Sequence, residues 1–271
     1  MRIPPLPLAV ALFAAVSTGA FAQAPAPKLL FAEDFEDVPI GEIPKGFTKT
    51  GAVGVADDAA HSGHKSLKME AAIKGARKIT LKGEPLVWLG GEHWGRLYYK
   101  VKLPVPSPVI PEGQKSGVIH SAMVDGTATS PLFGDKINLG LFNMLLNSDG
   151  AFLYLFNVLP GKGRHEFGAR MKPRFHYTEE WILAEWHVDY ATQSYQFFIN
   201  GEEIPELAVH KGAGQFAGAE IPAVFDNLSF GFTNYQPASG EGFVTWIDDL
   251  AVGKERLGGG ALANQPVEAM K

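Results

Sequence analysis

The 271-residue chain contains no cysteine. That absence excludes disulfides, thiolate metal sites, cysteine nucleophiles and a lipid anchor on an N-terminal cysteine. Long apolar runs are also missing beyond the N-terminus, so no membrane helix of about 20 residues is expected in the rest of the chain. No Gly-rich phosphate loop, dinucleotide fingerprint or serine-nucleophile elbow stands out. His61 and His64 lie three apart in a Gly/Ser turn without a His-Glu-x-x-His helix, which gives zinc hydrolysis little support. The formal charge is −5, a balance that argues against a nucleic-acid partner. It says nothing about an acidic glycan, because a local basic groove can still bind one.

What is present begins with an export signal. Arg2 supplies a short positive region, Leu6 to Val16 is nearly all apolar, and Ala20-Phe21-Ala22 forms a small-x-small cleavage site. The sequence therefore predicts a signal peptide over 1–22, cleaved near Ala22, a short Ala/Pro-rich linker over 23–28, and a secreted or periplasmic mature protein without membrane association. Removing Arg2 leaves 23 basic against 29 acidic residues, a net charge of −6.

The mature part reads as strands and loops. It is rich in turn formers, within a total of 31 Gly and 19 Pro, and shows no apolar stripe at helical spacing. Aromatic and β-branched runs recur at Leu29–Phe35, Gly95–Leu103, Gly117–Val124, Ile137–Leu146, Phe152–Val158, Trp181–Asp189, Ser194–Ile199, Leu228–Thr233 and Phe243–Val252. Several alternate, as where Arg96, Tyr98 and Lys100 oppose Leu97, Tyr99 and Val101. Asn200-Gly201 supplies a tight-hairpin dipeptide, so Tyr195–Ile199 is expected to pair with Ile204–Val209. The pattern predicts an all-β, antiparallel β-sandwich with few or no helices, as one domain over 29–256 with a flexible tail over 257–271. A composition 46% hydrophobic supplies the core that a disulfide-free domain needs.

Three segments taken together resemble a known group. They are Gly95-Arg96-Leu97-Tyr98-Tyr99-Lys100-Val101; Trp181 with Glu185-Trp186-His187-Val188-Asp189 and the run Tyr195 to Gly201; and Phe225 to Phe232 leading into Trp246-Ile247-Asp248-Asp249-Leu250-Ala251-Val252. Their order resembles the concanavalin A-like, laminin-G-like jelly rolls, in particular the cellulose-induced secreted proteins of fungi and their bacterial relatives, which are similar to glucuronan lyases. The resemblance runs from about Leu29 to Arg256. It implies a calcium ion pinning the first strand to the last, and a concave sheet that forms an open groove for a polysaccharide.

The calcium expectation has residues to rest on. Calcium takes several hard oxygen ligands from carboxylates and carbonyls. Asp34 and Glu36, within Glu33-Asp34-Phe35-Glu36-Asp37, and Asp248-Asp249 would repel one another on neighbouring terminal strands unless a cation lay between them. The His61 to Leu67 segment, which includes Ser62, is where the resemblance places backbone ligands.

For the groove, the resemblance implies lyase chemistry. β-Elimination from a uronate needs a group to neutralise the carboxylate, a base, and an acid for the leaving oxygen. Val118-Ile119-His120 resembles the Gln-Ile-His strand of alginate lyases, with Val118 where that motif has Gln. The expected constellation is His120 as base or neutraliser, Arg96 as carboxylate partner, and Tyr98, Tyr235 or Tyr154 as acid. Arg170 and Arg174 would extend the positive groove, with Gln196, Trp88 and Trp94 as further sugar contacts. Each has a plainer reading: a satisfied strand histidine, half-buried tyrosines, solvated arginines and packed tryptophans. Paired-carboxylate hydrolysis is disfavoured, because Glu185 and Asp189, four apart on a strand, are separated by about 13 Å, beyond the usual range. The rival to a lyase is a non-catalytic carbohydrate-binding or laminin-G-like module, which needs only aromatics and hydrogen-bond donors. In either case the expected partner is a polysaccharide and the expected state a monomer.

Overall fold

The computed structural model describes residues 29–104, 109–132, 134–159, 165–209, 220–260 and 262. The expected signal peptide, the linker and residues 263–271 of the tail lie outside the described residues. In chain order the strands are β1 (Leu29–Glu33), β2 (Thr48–Thr50), β3 (Val53–Ala56), β4 (Ser66–Ala72), β5 (Gly75–Lys82), β6 (Glu92–Lys102), β7 (Val118–Thr129) and β8 (Lys136–Asn147). Then follow β9 (Phe152–Leu159), β10 (His165–Phe167), β11 (Ile182–Asp189), β12 (Ser194–Ile199), β13 (Glu202–Glu203), β14 (Phe225–Asn234) and β15 (Phe243–Gly253). One short helix, α1 (Glu84–Leu89), and a 3-10 turn at Pro205–Leu207 interrupt them. None of the described helices is long and apolar enough to cross a membrane.

The strands form two antiparallel sheets packed as a jelly-roll sandwich. The first runs β13-β12-β11-β6-β15-β4-β3, with β1 also paired to β15. The second runs β10-β9-β8-β7-β14-β5-β2. Alternation decides which side chains meet between them. Leu97, Tyr99, Trp186, Phe197 and Ile247 from the first sheet are buried with Phe142, Tyr154, Phe156 and Phe230 from the second. Each such side chain contributes about 1.5–3 kcal/mol by leaving water. Tyr99 and Tyr154 bring their hydroxyls together at 2.7 Å across this core, so neither polar tip is buried unpaired.

The Asn200-Gly201 hairpin forms, with both residues at positive φ, 50° and 85°. Its return strand is only two residues long, however. Pro205 opens the 3-10 turn, and pairing resumes at a single bridge between Tyr195 and Val209. Trp88, an expected sugar contact, lies on α1, which has Pro at its start.

Residues 257–260 lie over the outer face of the first sheet. The Gly258 amide donates to Glu185 at 3.1 Å, and Leu262 packs against Leu29 and Ala251. Backbone carbonyls left free by a chain of glycines are satisfied there by side chains of the sheet.

Candidate functional site

A cavity of about 430 Å³ opens on the outer face of the second sheet. Its floor spans β7, β8 and β9, with β5 on one side and the residues after β14 on the other. Bulges shape it. The β7–β8 register shifts on both sides of Val124, β8–β9 shifts between Gly140 and Asn143, and β14–β7 shifts between Phe230 and Thr233. A bulge turns side chains that simple alternation would separate onto one face. Asn138, Gly140 and Asn143 all line the cavity, although strict alternation puts 143 opposite 138 and 140.

His120 and Tyr235 share this cavity. They are joined through the backbone, because the Tyr235 amide donates to the His120 carbonyl at 2.9 Å. The His120 amide in turn donates to Oε1 of Gln236 at 2.7 Å. Nε2 of His120 stands 3.8 Å from Glu166 Oε1 on β10. Burial, with the Asp125 carboxylate nearby, pushes the Tyr235 phenol up to about 12, although 51% of the residue is exposed. Tyr235 therefore holds its proton near neutrality. Lys78 enters from β5, its ammonium 2.8 and 2.9 Å from the two oxygens of Asp125.

The remaining residues of the expected lyase set lie elsewhere. Arg96 and Tyr98 point outward from β6, on the opposite sheet. Arg96 is 1% exposed and donates to the carbonyls of Gly258 at 2.6 Å and Gly260 at 2.5 Å. Tyr98 stacks on His61 at 3.4 Å between centroids and donates to Gly259. Tyr154 is in the core, bonded to Tyr99, and burial raises its phenol far above the ordinary range. The structure thus joins His120 to Tyr235 and separates both from Arg96, Tyr98 and Tyr154.

The expected sugar contacts are equally dispersed. Arg174 pairs with Glu206 at 2.7 Å, and Arg170 is exposed in a turn; neither lines the cavity. Trp88, on α1, packs against the core beneath Lys254. Trp94 stacks on His187 at 4.2 Å, and Gln196 bonds His187 and Glu203, all on the outer face of the first sheet. Glu185 forms a two-bond pair with Arg256 at 3.0 and 2.8 Å.

Sequence reasoning missed Lys78, Asp125, Asn138, Asn143, Asn157 and Gln236. One signal was available: Asn143 breaks an otherwise apolar run, Leu141 to Leu146. An amide placed there needs partners, because a buried polar group without hydrogen bonds is costly.

The acidic residues of the chain ends both hold the 61–65 turn. β15 pairs with β4 through Phe243–Ile247 and with β1 through Leu250–Gly253, so the break falls at Asp248-Asp249. Asp249 takes φ 47° in a bulge there. Asp248 accepts the amides of His61 at 2.7 Å and Ser62 at 3.1 Å; Asp249 accepts Ser62 Oγ at 2.9 Å and lies 2.6 Å from His61 Nδ1. Glu36 accepts the amides of His64 and Lys65, and Asp34 accepts that of Glu36. Burial pushes Asp248 up to about 7, reinforced by Asp249. It pushes Glu33 up to about 7 as well, against the hydrogen bond from Phe35. Among the described residues, no three His, Asp or Glu side chains converge as a metal cluster.

The fold and cavity define a two-sheet β-sandwich with a polar groove on one outer face. In solved structures this chain is similar to a cellulose-induced protein, Cip1, at TM-score 0.55 and 17% identity, over 85% of this chain and all of that one. Weaker similarity links it to a botulinum neurotoxin type C structure described by its interaction with two ganglioside molecules, at TM-score 0.48 and 11% identity, over 78% of this chain and 43% of that one. A binding domain of neurotoxin DC in complex with SialylT follows, at 0.46 and 10% identity, over 78% of this chain and 43% of that one. The likeness to Cip1 shows the fold. No family model matches the chain, and no curated protein matches it.

Proposed function

We propose that the cavity on the second sheet is a polysaccharide groove, and that the exported protein acts there on a uronic-acid-containing chain by β-elimination. The observation that carries this reading is the meeting of His120 and Tyr235 in one cavity. In this scheme His120 takes the proton from the carbon bearing the uronate carboxyl group. The bond to the glycosidic oxygen breaks, a carbon–carbon double bond forms, and Tyr235 donates its proton to the departing oxygen. Lys78 and the side-chain amide of Gln236 are the donors available to the carboxylate. The likeness to Cip1, a protein named for induction by cellulose, points toward plant-polymer sugars.

The test is absorbance near 232 nm, where unsaturated uronates absorb, with glucuronan, alginate, pectate and heparin-type chains. A rise that is lost in His120→Ala supports elimination at this site; no rise with any chain rejects it. A second reading, non-catalytic glycan binding, is favoured by one feature. The Lys78 ammonium is charge-balanced by Asp125, and no arginine lines the cavity among the described residues. Retained binding in affinity electrophoresis without elimination would select this reading.

A structural calcium ion at the junction of β1, β4 and β15 belongs to the same proposal. Calcium accepts mixed carboxylate and main-chain oxygens, so one or two carboxylates suffice to anchor it. Asp34, Glu36, Ser62, Asp248 and Asp249 would hold it. Support comes from the buried Asp248 and Asp249 side by side, whose charge a cation would compensate.

A further inference from the structure

Three residues on the cavity floor fix one another. Gly140 has no side chain, and a Cβ built on it would fall 2.0 Å from Asn143 Nδ2 and 2.4 Å from Asn157 Oδ1. The notch above Gly140 therefore exists only because this residue is glycine. Into it come two amides whose orientations the backbone dictates. The Gly140 amide donates to Asn157 Oδ1 at 3.0 Å, so the Asn157 Nδ2 group is left as the outward donor. Asn143 Nδ2 donates to the carbonyl of Gly140 at 2.9 Å and to that of Leu155 at 3.4 Å, so its Oδ1 is left as the acceptor. Neither remaining atom has a hydrogen-bond partner among the described residues, and both side chains line the cavity.

We infer that Gly140, Asn143 and Asn157 form a subsite that reads two adjacent free hydroxyls of a pyranose ring. One hydroxyl donates to Asn143 Oδ1 and its neighbour accepts from Asn157 Nδ2. Such a pair is present on every internal unit of a 1,4-linked chain. It is lost when one of the two oxygens is acetylated or carries the 1,3-linkage. The inference rests on the reading of this cavity as a glycan groove and adds to it the linkage and substitution pattern accepted there. The amide pair is uncharged, so it discriminates by hydroxyl pattern rather than by carboxylate, and its action is separable from that of His120.

The experiment compares the full mature protein with Asn157→Asp and Gly140→Ala by affinity electrophoresis. The probes are glucuronan, the same polymer after O-acetylation, and a 1,3-linked glucan. Asn157→Asp retains an oxygen for the Gly140 amide but loses the outward donor. Wild type is expected to bind intact polymer at least tenfold more tightly than acetylated polymer or the 1,3-linked chain. In Asn157→Asp that ratio should fall close to one, with an unchanged melting temperature as the check on folding. Gly140→Ala should lose affinity through closure of the notch. An Asn157→Asp protein with the wild-type ratio overturns the subsite while leaving the groove standing. Equal wild-type binding to intact and acetylated polymer does the same. A wild type that binds none of the probes overturns both.

Discussion

The Trp186 indole donates a 3.0 Å hydrogen bond to Nε2 of His93, and both side chains are fully buried. That bond places the imidazole proton on Nδ1 and commits the ring to its neutral form. Burial lowers the His93 pKa from 6.5 to about 3, with His187 and Lys254 adding to the effect. The unfolded chain takes up this proton below pH 6.5, whereas the folded protein resists it down to about 3. This group therefore removes stability as pH drops through that window, by at most about 1.4 kcal/mol per unit, against the opposite slope of the raised Asp248 and Glu33 carboxyls. Urea unfolding of wild type and His93→Gln at pH 7 and pH 5 isolates the His93 contribution. His93→Gln, which keeps an acceptor for the indole, should be favoured over wild type at pH 5 relative to pH 7.

Tyr154 makes a prediction of the opposite kind. Its hydroxyl serves Tyr99 between the sheets, away from the cavity. Tyr154→Phe strands a buried hydroxyl and should cost about 1–3 kcal/mol in denaturant unfolding. Glycan binding or elimination by the folded protein should be unchanged. A selective loss of elimination at full stability would return Tyr154 to the chemistry.

The strap over the first sheet is held by Arg96 on the carbonyls of Gly258 and Gly260 and by Glu185 on Arg256. Arg96→Met keeps the aliphatic bulk and removes the donors. Amide hydrogen exchange across 257–260 should accelerate about tenfold or more, the equivalent of about 1.4 kcal/mol in local opening. Affinity for glycan at the second sheet should not move. Exchange at the wild-type rate would show that Arg96 does not hold the strap.

The calcium ion proposed for the β1–β4–β15 junction would make the melting temperature ligand-dependent. Chelation with EDTA should lower it, and calcium at about a hundredfold above its dissociation constant should restore about 2.7 kcal/mol, or about 5–10 °C for a domain of this size. Asp249→Asn should abolish the response. A melting temperature indifferent to both treatments removes calcium from the account.

The two-sheet architecture was legible because it depends on local signals. Alternation along Gly95–Val101 set Leu97 and Tyr99 on the face opposite Arg96 and Tyr98, and the first pair is the one that faces the core. Asn200-Gly201 marked its hairpin, and His120 and Tyr235 stood out as reactive types on or beside strands. The helix at Glu84–Leu89 was not legible, because six residues are too few to show a period.

Partnership between distant residues was decided only by tertiary structure. Period-2 alternation assigns a side chain to a face but does not say which sheet owns that face. Only the pairing of β6 with β11 and β15 puts Arg96 on the sheet opposite His120, where the returning strap covers it. The bulges at Gly140–Asn143 and beside Val124 break the alternation itself, and so bring Asn143 onto the cavity floor. By itself the sequence determined a β-sandwich with polar and aromatic side chains on its outer faces, because burial and turn chemistry act over a few residues. Long-range strand register chose which of those side chains became neighbours, because register is set by the whole packed sheet rather than by any one strand.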